Sequence, residues 1–271
     1  MGTLYVVATP LGNLEDITLR ALRVLKEVSL VAAEDTRSAR RLLSHFDLHQ
    51  TVVSYFEHNK LARLEQILTA LEAGDVALIS EAGTPLLSDP GYELVQAALA
   101  RGFTVTPIPG PSALTAALSV SGLPTDRFLF LGFPPRRAGE RRRWLEEVRH
   151  QPATLVLYES PHRLRKTLAD LVEILGEDRP VAVCRELTKL HEEIWRGTLA
   201  AARQEWEQRE PRGEFTLVIG GAPAGERWDA ARVRAALAEA LARGESTRDA
   251  ARRIAQASGW SKKEVYALKN Q

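Results

Sequence analysis

Over residues 1–121 of this 271-residue chain, short apolar runs alternate with segments whose apolar residues recur every three to four positions. The first such segment places Ile17, Ala21, Leu25 and Val28 on one face of a helix. The runs themselves are typical of strands buried on both faces, and they read L-Y-V-V-A, L-V-A-A, T-V-V-S, V-A-L-I and T-V-T-P-I. Strand and helix in repeated alternation predict a mostly parallel sheet covered by helices.

The pattern changes from Phe128 onward. Five further runs are apolar enough to be strands, and they read F-L-F-L-G-F, A-T-L-V-L-Y, P-V-A-V-C, E-I-W-R-G-T-L and F-T-L-V-I-G-G. The helical segments between them are too few for regular alternation, and two of the runs flank the short segment K-L-H-E, which favours antiparallel pairing. We expect a second α/β domain, with a mixed sheet.

The C-terminal segment follows a stretch of Ala, Pro and Gly that is typical of a linker. It shows three short helical patterns, whose inward residues are Val233, Leu237 and Leu241, then Ala250, Ala251, Ile254 and Ala257, then Val265 and Leu268. S-K-K-E at residues 261–264 is a capping box that starts the third helix. Nine basic residues against five acidic ones favour a helix-turn-helix that binds nucleic acid, although a solvated helical appendage fits equally well.

The predicted fold is therefore α/β, with two α/β domains and a small C-terminal helical domain. Residues 1–121 form the N-terminal α/β domain with the mostly parallel sheet, residues 122–221 form the second with the mixed sheet, and residues 229–271 form the helical tail.

Composition narrows the functional class. The formal net charge is +1, so the global balance does not indicate a nucleic-acid-binding protein, and only local clusters of charge could do so. Cys184 is the single cysteine, which leaves neither a disulfide nor a cysteine-based metal site. No segment approaches the roughly 18 apolar residues of a membrane span. We expect a cytoplasmic protein without a membrane anchor.

Polar loops follow the first four predicted strands, and they read T-P-L-G-N, E-D-T-R, Y-F-E-H-N-K and S-E-A-G-T-P. Open α/β sheets bind ligands at the carboxyl ends of their strands, so four such loops predict a site at that edge. The fourth loop, residues 80–85, has one acid among small residues. Such a loop either only turns the chain or lets backbone groups approach a ligand closely.

Several common sites are excluded by their spacing. The first strand is not followed by G-x-G-x-x-G, and the chain has no P-loop, so dinucleotide binding of the usual kind and Walker-type phosphate chemistry are not expected. Of the six histidines, only His45 and His49 have a spacing suited to zinc, and they straddle a helix end. We therefore expect no metal site.

Six motifs in order along residues 3–221 resemble those of the tetrapyrrole-methylase superfamily, and they read T-P-L-G-N-L-E-D, A-E-D-T-R, S-E-A-G-T-P-L-L-S-D-P-G, P-G-P-S-A, L-Y-E-S-P-H-R and R-E-L-T-K. Within it, they are most similar to the bacterial methyltransferases of small-subunit ribosomal RNA that act on a ribose 2′-hydroxyl in the decoding region, at cytidine 1402 of the 16S RNA. The resemblance implies S-adenosylmethionine in a cleft between two α/β domains, a homodimer, and 16S ribosomal RNA or the small ribosomal subunit as partner.

The resemblance also assigns roles to individual residues. Those expected to bind the cofactor are Pro10, Glu81, Ala82, Gly83, Thr84, Ser112, Ala113, Tyr158 and Glu159. Glu81 stands where the family usually has Asp, so its contact is one methylene longer. The candidates for a base that accepts the ribose proton are Glu57, His58 and Glu186, with Arg37 and Lys189 to position a phosphate or to lower the pKa of the hydroxyl.

Five arginines within residues 136–143 form a cluster suited to phosphates, and we expect this cluster and the basic tail to bind ribosomal RNA. A salt-bridged exposed helix would give the same pattern. Two other functions also fit. A methyltransferase of the same superfamily could act on a tetrapyrrole or on a protein side chain, and a ligand-sensing regulator could use the tail as a DNA-binding helix-turn-helix.

Overall fold

The computed structural model describes residues 2–56, 60–223 and 228–268, and within them it has two five-stranded sheets and eleven α-helices. The chain divides into two compact units. Residues 1–147 together with 154–220 form the unit that contains both sheets, and residues 148–153 together with 221–271 form the other.

The first sheet is parallel in all its described pairs. Its strands are β1 (Thr3–Val7), β2 (Leu30–Ala33), β3 (Val52–Ser54), β4 (Val76–Ile79) and β5 (Thr104–Ile108), in the order β3-β2-β4-β1-β5. The accompanying helices are α1 (Leu19–Glu27), α2 (Thr36–His45), α3 (Lys60–Ala73) and α4 (Tyr92–Ala100), with a 3-10 turn at Leu14–Asp16. Because β1 lies between β4 and β5, the loops that follow these three strands meet at one edge of the sheet.

Both faces of this sheet are buried, as the apolar runs predict. Successive residues of β4 pack on opposite sides: Val76 and Leu78 belong to the core under α3 and α4, whereas Ala77 and Ile79 belong to the core under α1 and α2. A strand covered on both sides has no polar face, and this explains why V-A-L-I contains no alternation.

The second sheet is mixed, as predicted. Its strands are β6 (Phe128–Gly132), β7 (Thr154–Glu159), β8 (Pro180–Arg185), β9 (Glu193–Thr198) and β10 (Phe215–Ile219), in the order β6-β7-β10-β8-β9. Only β6 and β7 are parallel, and β8 and β9 pair antiparallel on either side of residues 189–192.

The helices of the second half are α5 (Ala113–Ser121), α6 (Ala138–Val148), α7 (Pro161–Leu175) and α8 (Leu199–Gln208). Helix α5 follows β5 directly but packs on the second sheet, where Leu114 and Leu118 contact the core formed by Val156 and Val218. The chain therefore passes directly from β5, in the first sheet, to a helix that packs on the second sheet.

The second unit contains three helices, α9 (Ala230–Ala242), α10 (Thr247–Ser258) and α11 (Lys262–Ala267), around a core of its own. Most of the predicted inward residues are buried or half-buried, but Ala257 is exposed, and the buried position is taken by Ser258. Ser258 lies four residues after the buried Ile254, so the apolar face of α10 continues through it rather than through Ala257.

The predicted capping box of the third tail helix is present. The Ser261 hydroxyl accepts a hydrogen bond from the Glu264 N–H, and the Glu264 carboxylate accepts one from the Ser261 N–H. Among the helices of the described residues, none is long and apolar enough to cross a membrane.

Candidate active site

The loops after β1, β4 and β5 are joined to one another by hydrogen bonds. The N–H of Thr9 donates to the Gly83 carbonyl at 2.8 Å, and the N–H of Gly83 donates back to the Thr9 carbonyl at 3.0 Å. The Thr84 hydroxyl donates to the Pro111 carbonyl at 3.0 Å. The three loops therefore form one connected rim at the carboxyl edge of the first sheet.

Gly83 leaves little room for a side chain. Its φ of +81° lies in the region that L-residues rarely adopt, and a Cβ atom would lie 3.1 Å from Cδ2 of Leu11. Steric constraints thus explain why the turn contains small residues. These residues also leave the backbone of the turn accessible from the adjoining space.

That space is a cavity of about 740 Å³, within the usual range for small-molecule sites. All nine residues that the sequence suggested for the cofactor line it, and they are Pro10, Glu81, Ala82, Gly83, Thr84, Ser112, Ala113, Tyr158 and Glu159. Both sheets contribute to its wall, since Tyr158 and Glu159 end β7 and the others follow β1, β4 and β5.

Five carboxyl groups line the cavity, and three of them, Glu34, Glu81 and Asp89, form no ion pair with a basic side chain among the described residues. Burial raises the pKa of Glu34, and the charges of Glu81 and Asp35 raise it further. A hydrogen bond from the Glu81 N–H to the Glu34 carboxylate, at 3.3 Å, opposes this rise. Burial and then the charge of Glu34 raise the pKa of Asp89 to about 7, although a hydrogen bond from the Ser80 side chain opposes the shift.

Asp89 is one of the residues of this wall, with Glu34 and Arg41, that sequence reasoning missed. The motif S-D-P-G was noted, but Asp89 was not singled out within it. The chain leading to it has two non-glycine residues at positive φ, Leu86 at 73° and Ser88 at 72°, and such backbone conformations cluster at functional sites. A sequence alone gives no sign of them.

Tyr158 forms the aromatic part of the cavity wall. Its ring packs edge-to-face against Phe130 and Phe133, with centroids 5.0 and 5.6 Å apart. Burial raises the pKa of the hydroxyl, although the Leu114 N–H and the Ser112 side chain form hydrogen bonds with it. Tyr158 is therefore protonated over the ordinary pH range.

Glu159 is buried, and its carboxylate is fully engaged at the start of α7. It accepts hydrogen bonds from the Ser160 N–H at 2.7 Å and from the Thr167 hydroxyl at 2.5 Å, and it pairs with Arg163 at 2.7 Å. These contacts fix the turn from β7 into α7, so its side chain positions the neighbouring Tyr158 rather than offering a free charge to a ligand.

Lys189 reaches the cavity from the loop between β8 and β9. Its Nζ donates to the carboxylates of Glu186 at 2.9 Å and Glu214 at 3.0 Å, and its stem crosses Gly12 so closely that a Cβ there would lie 2.3 Å from its Cγ. Burial opposes the charge, but these hydrogen bonds outweigh it and raise the pKa of Lys189.

The predicted catalytic residues are not all brought together. Lys189 lines the cavity, whereas Glu186 and Arg37 do not, and Glu57 and His58 lie outside the described residues. Burial works against the charge of Glu186, but hydrogen bonds from the Glu214 N–H and from Lys189 lower its pKa. An acid held ionised by paired contacts is a weak proton acceptor, so the geometry favours a supporting role for Glu186.

Helix α2 presents arginines near the cavity. Arg37 is 89% exposed and lies 3.9 Å from its nearest acid, Asp35, which caps the helix. Arg41, one turn further on, lines the cavity in its place. Arg37 was expected at the site because it belongs to a recognisable motif. The position of Arg41 could be found only from the structure, since the helix brings it to the cavity one turn later.

The arginine cluster at residues 136–143 is partly structural, which corrects its interpretation as five cations available to phosphates. Arg141 is buried and pairs with Asp170 at 2.5 Å, and Arg142 pairs with the same carboxylate at 2.8 Å and with Glu173 at 2.8 Å. These pairs tie α6 to α7. Arg136, Arg137 and Arg143 remain exposed.

In the described part of the chain, no group of three or more His, Cys, Asp or Glu side chains is arranged to ligate a metal.

Comparison with known proteins identifies the family. The model of the Tetrapyrrole (Corrin/Porphyrin) Methylases matches residues 3–203. A protein of Halalkalibacterium halodurans named ribosomal RNA small subunit methyltransferase I is 46% identical over 276 residues, covering 100% of this chain and 95% of that one. A Synechocystis protein of the same name is 45% identical, covering 99% and 97%.

Solved structures share the fold. The methyltransferase CobJ superposes with a TM-score of 0.63 at 19% identity, covering 84% of this chain and 98% of that one. The uroporphyrin-III C-methyltransferase of Thermus thermophilus, solved with S-adenosylhomocysteine, gives 0.58 at 23% identity, covering 81% and 97%.

The resemblance that the motifs indicated is thus confirmed, and so is the cofactor it implied, S-adenosylmethionine. The chain belongs to the tetrapyrrole (corrin/porphyrin) methylase family.

Proposed function

We propose that this protein transfers the methyl group of S-adenosylmethionine to the ribose 2′-hydroxyl of a cytidine in the decoding region of 16S ribosomal RNA. The observation that carries the proposal is the single wall formed by the nine suggested cofactor residues and Lys189, in a chain similar over its whole length to proteins named ribosomal RNA small subunit methyltransferase I.

The cavity fits the cofactor in size and in chemistry. The turn at Gly83 exposes backbone groups to a polar ligand, and Tyr158 offers an aromatic surface for a nucleoside. The unpaired carboxyl groups at Glu34, Glu81 and Asp89 suit a ligand that carries positive charge. When bound, S-adenosylmethionine supplies a methyl group activated by a cationic sulfur.

The protein's own contribution is positioning. Holding the ribose hydroxyl in line with the methyl group supplies about 7–11 kcal/mol of the barrier reduction. The negative charge of the wall also has to be limited. A site that stabilises the positive sulfur of the bound cofactor too strongly slows the reaction, because that charge is lost in the transition state. Asp89, with its pKa raised to about 7, limits that negative charge near neutral pH.

The basic side chains around the cavity suit the phosphates of RNA. Lys189 is held protonated by two acids, and Arg41 lines the cavity without an ion-pair partner among the described residues. We assign to Lys189 and Arg41, with Arg37 one turn away, the phosphates that flank the target nucleotide. Arg136, Arg137 and Arg143 are the members of the second cluster that are exposed enough to assist.

The helical unit has a few cations free for the same purpose. Arg243, Arg252 and Arg253 pair with Glu239, Asp249 and Glu245. Within the part of the chain that the structure describes, Arg248 and Lys263 form no ion pair. We propose that these two, at the first turns of α10 and α11, contact RNA phosphates.

Two variants test this role of the tail. Removing residues 229–271 should weaken binding of small-subunit RNA while leaving cofactor affinity unchanged. Arg248→Ala with Lys263→Ala in the full chain should weaken RNA binding about 3- to 10-fold and flatten its salt dependence by about one phosphate contact per residue. Equal RNA affinity of all three proteins would contradict the role.

The resemblance further suggests a homodimer located in the cytoplasm, and both stay proposals. Light scattering on the purified protein measures the first, since a monomer of 30.0 kDa and its dimer are easily separated.

The reaction is tested by incubating the protein with labelled S-adenosylmethionine and either naked 16S RNA or assembled small subunits, then digesting the RNA and identifying the nucleoside. The expected product is 2′-O-methylcytidine at one site. Label on a porphyrin or corrin, or on a protein side chain, would favour the other activities of the superfamily. Specific DNA binding with no methyl turnover would favour a regulator.

A further inference from the structure

Phe133 is an exposed aromatic side chain in the wall of the cavity. It is 52% exposed, and its ring lies beside that of Tyr158, with centroids 5.6 Å apart. Of the large apolar side chains that are exposed among the described residues, it is the one that lines the cavity. Single exposed apolar side chains are common, so exposure alone indicates no function. A backbone built to present the ring is stronger evidence.

A β-bulge sets the direction in which the Phe133 ring projects. The pairing of β6 with β7 shifts between Phe130 and Gly132, so β6 has one extra residue there. Gly132 has a φ of +64°, where a side chain is strained, and a Cβ would lie 3.2 Å from Oγ of Ser88. Bulges redirect the side chains next to them and are frequent beside active sites.

The two prolines that follow Phe133 are held by arginine side chains. The guanidinium of Arg163 donates to the Pro134 carbonyl at 2.9 Å, and that of Arg141 donates to the Pro135 carbonyl at 3.5 Å. Each of these arginines is itself paired with a buried carboxylate. Since proline also fixes its own φ, the segment that presents the ring is rigid before any ligand binds.

Exposed cations come directly after this segment. Arg136 is exposed and forms no ion pair among the described residues, and Arg137 pairs with the exposed Glu140 at 3.3 Å. A pair of this kind is weak and exchanges readily for a phosphate. Three residues span at most about 11 Å, so Arg136 lies within one nucleotide's reach of Phe133. An aromatic ring beside a cation is the combination with which proteins bind unpaired nucleotides.

We propose that Phe133 stacks on the base of the nucleotide that accepts the methyl group, with Arg136 on an adjoining phosphate. This inference rests on the proposed function. Tyr158 is half-buried, and its hydroxyl is hydrogen-bonded to Leu114 and Ser112, whereas Phe133 is the exposed member of the aromatic pair. The order from inside to outside therefore gives Tyr158 to the cofactor and Phe133 to the RNA.

The reaction needs such a contact. A ribose hydroxyl reaches the cavity only if its nucleotide leaves its neighbours in the RNA, and this costs the stacking energy of the base. The ring of Phe133 at the cavity mouth returns part of that energy and fixes the position of the ribose. Every base has a ring face, so stacking positions the nucleotide without selecting cytosine.

The first test compares Phe133→Ala with Phe128→Ala, an exposed phenylalanine at the other end of β6 that does not line the cavity. Phe133→Ala should lower kcat/KM for the RNA about 5- to 100-fold and leave the affinity for S-adenosylhomocysteine within about 3-fold. Phe133→Tyr should keep the activity of the wild type, whereas Phe133→Leu should not, because leucine has bulk but no ring face. Phe128→Ala should behave as the wild type. Circular dichroism and thermal melting establish that all four variants fold.

The second test changes the RNA and needs no turnover. The acceptor is prepared with cytosine or with no base on the methylated ribose, as naked RNA or as assembled subunits, whichever the wild type methylates. The wild type should bind the acceptor that lacks the base about 5- to 100-fold more weakly than the normal acceptor. Phe133→Ala should bind both within about 2-fold, because the contact that the base makes is already lost.

The inference is wrong if Phe133→Ala keeps the kcat/KM of the wild type, if Phe133→Leu is as active as Phe133→Tyr, or if removing the base weakens both proteins equally. A fall in cofactor affinity as large as the fall in kcat/KM would also contradict it, by placing the ring against the cofactor. In each of these cases the proposed function survives. If the wild type methylates no RNA, the proposed function itself fails, and the role of Phe133 falls with it.

Discussion

Two loops that line the same cavity are built alike and yet hold their acids in opposite states. The loop at residues 80–91 and the loop at residues 186–192 each contain two non-glycine residues at positive φ, Leu86 and Ser88 in one, Glu186 and Thr188 in the other. In the second loop, Glu186 pairs with Lys189 and its pKa is lowered. In the first, Asp89 has no basic partner among the described residues and its pKa is raised.

The difference shows which property of a loop indicates a titrating group. A strained backbone alone does not identify such a group, because both loops have it. The two loops differ in the side chains that surround the carboxyl group. A paired acid is fixed in one charge state and serves to orient a cation, whereas an unpaired and half-buried acid is poised to change charge near neutral pH. Each prediction below alters one loop and leaves the other as its reference.

The largest effect is expected from reversing the charge of the first loop. Glu81→Arg places a cation in a wall that suits a positively charged ligand, so the affinity for S-adenosylmethionine should fall at least about 100-fold. Calorimetric titration measures it. Glu192→Arg, an exposed change in the second loop, is the matched control and should leave the affinity within about 2-fold. Unchanged binding by Glu81→Arg would remove the first loop from the cofactor site.

A smaller effect is expected from a methyl group on the same turn. Gly83→Ala strains a residue at φ +81° and brings the new Cβ within 3.1 Å of Leu11. Gly102 has nearly the same φ, +77°, but nothing within 4 Å of its Cβ position. Both substitutions should cost about 1–2 kcal/mol of unfolding free energy, from the backbone term that they share.

Only Gly83→Ala should also weaken cofactor binding, by about 10- to 30-fold, because only there does the loop line the cavity. Urea denaturation gives the shared loss and calorimetry the specific one. Equal cofactor affinity of the two variants would mean that the turn is a structural bend and nothing more.

In the second loop, we expect the cation Lys189, rather than an acid, to contact the substrate. Lys189→Ala should raise KM for the RNA about 10-fold, by removing a charged contact to phosphate, and should change cofactor affinity by less than about 3-fold. Lys166→Ala, an exposed lysine of α7, is the control. A loss confined to cofactor binding would place Lys189 against the cofactor rather than the RNA.

Sequence patterns predicted the architecture well, because it depends on local periodicity. The continuous apolar runs indicated strands buried on both sides, and the nine residues chosen from motifs line one cavity. The capping box of residues 261–264 was equally legible, since both its partners lie within one helical turn.

What the sequence did not reveal depends on distant neighbours. Arg141 and Arg142 looked like cations free for phosphate, but their partner Asp170 lies 29 and 28 positions away. The charge state of Asp89 depends on burial and on Glu34, which belongs to another strand end. Neither pairing nor desolvation can be read from residue type and spacing alone, so the sequence located the site but not the charge states of its acids.

The most sensitive test of the comparison is the pH dependence of stability. The pKa of Asp89 is higher in the folded state than in the unfolded state, so ionisation favours unfolding, and this cost grows from about pH 4 to pH 7 and is constant above. The pKa of Glu186 is lower in the folded state, so its ionisation favours folding, and this gain is lost as the pH falls through the folded pKa. Because Asp89 is partly exposed, solvent screening reduces this cost, and Asp89→Asn should raise the free energy of unfolding by about 1 kcal/mol at pH 8 and by little at pH 4. Glu186→Gln should lower it by about 1 kcal/mol at pH 8 and by less at pH 4.

Urea denaturation of both variants and the wild type at the two pH values measures the differences. Changes of the same sign at pH 8 would mean that the two acids are held in the same way, and that the contrast drawn between the two loops is wrong.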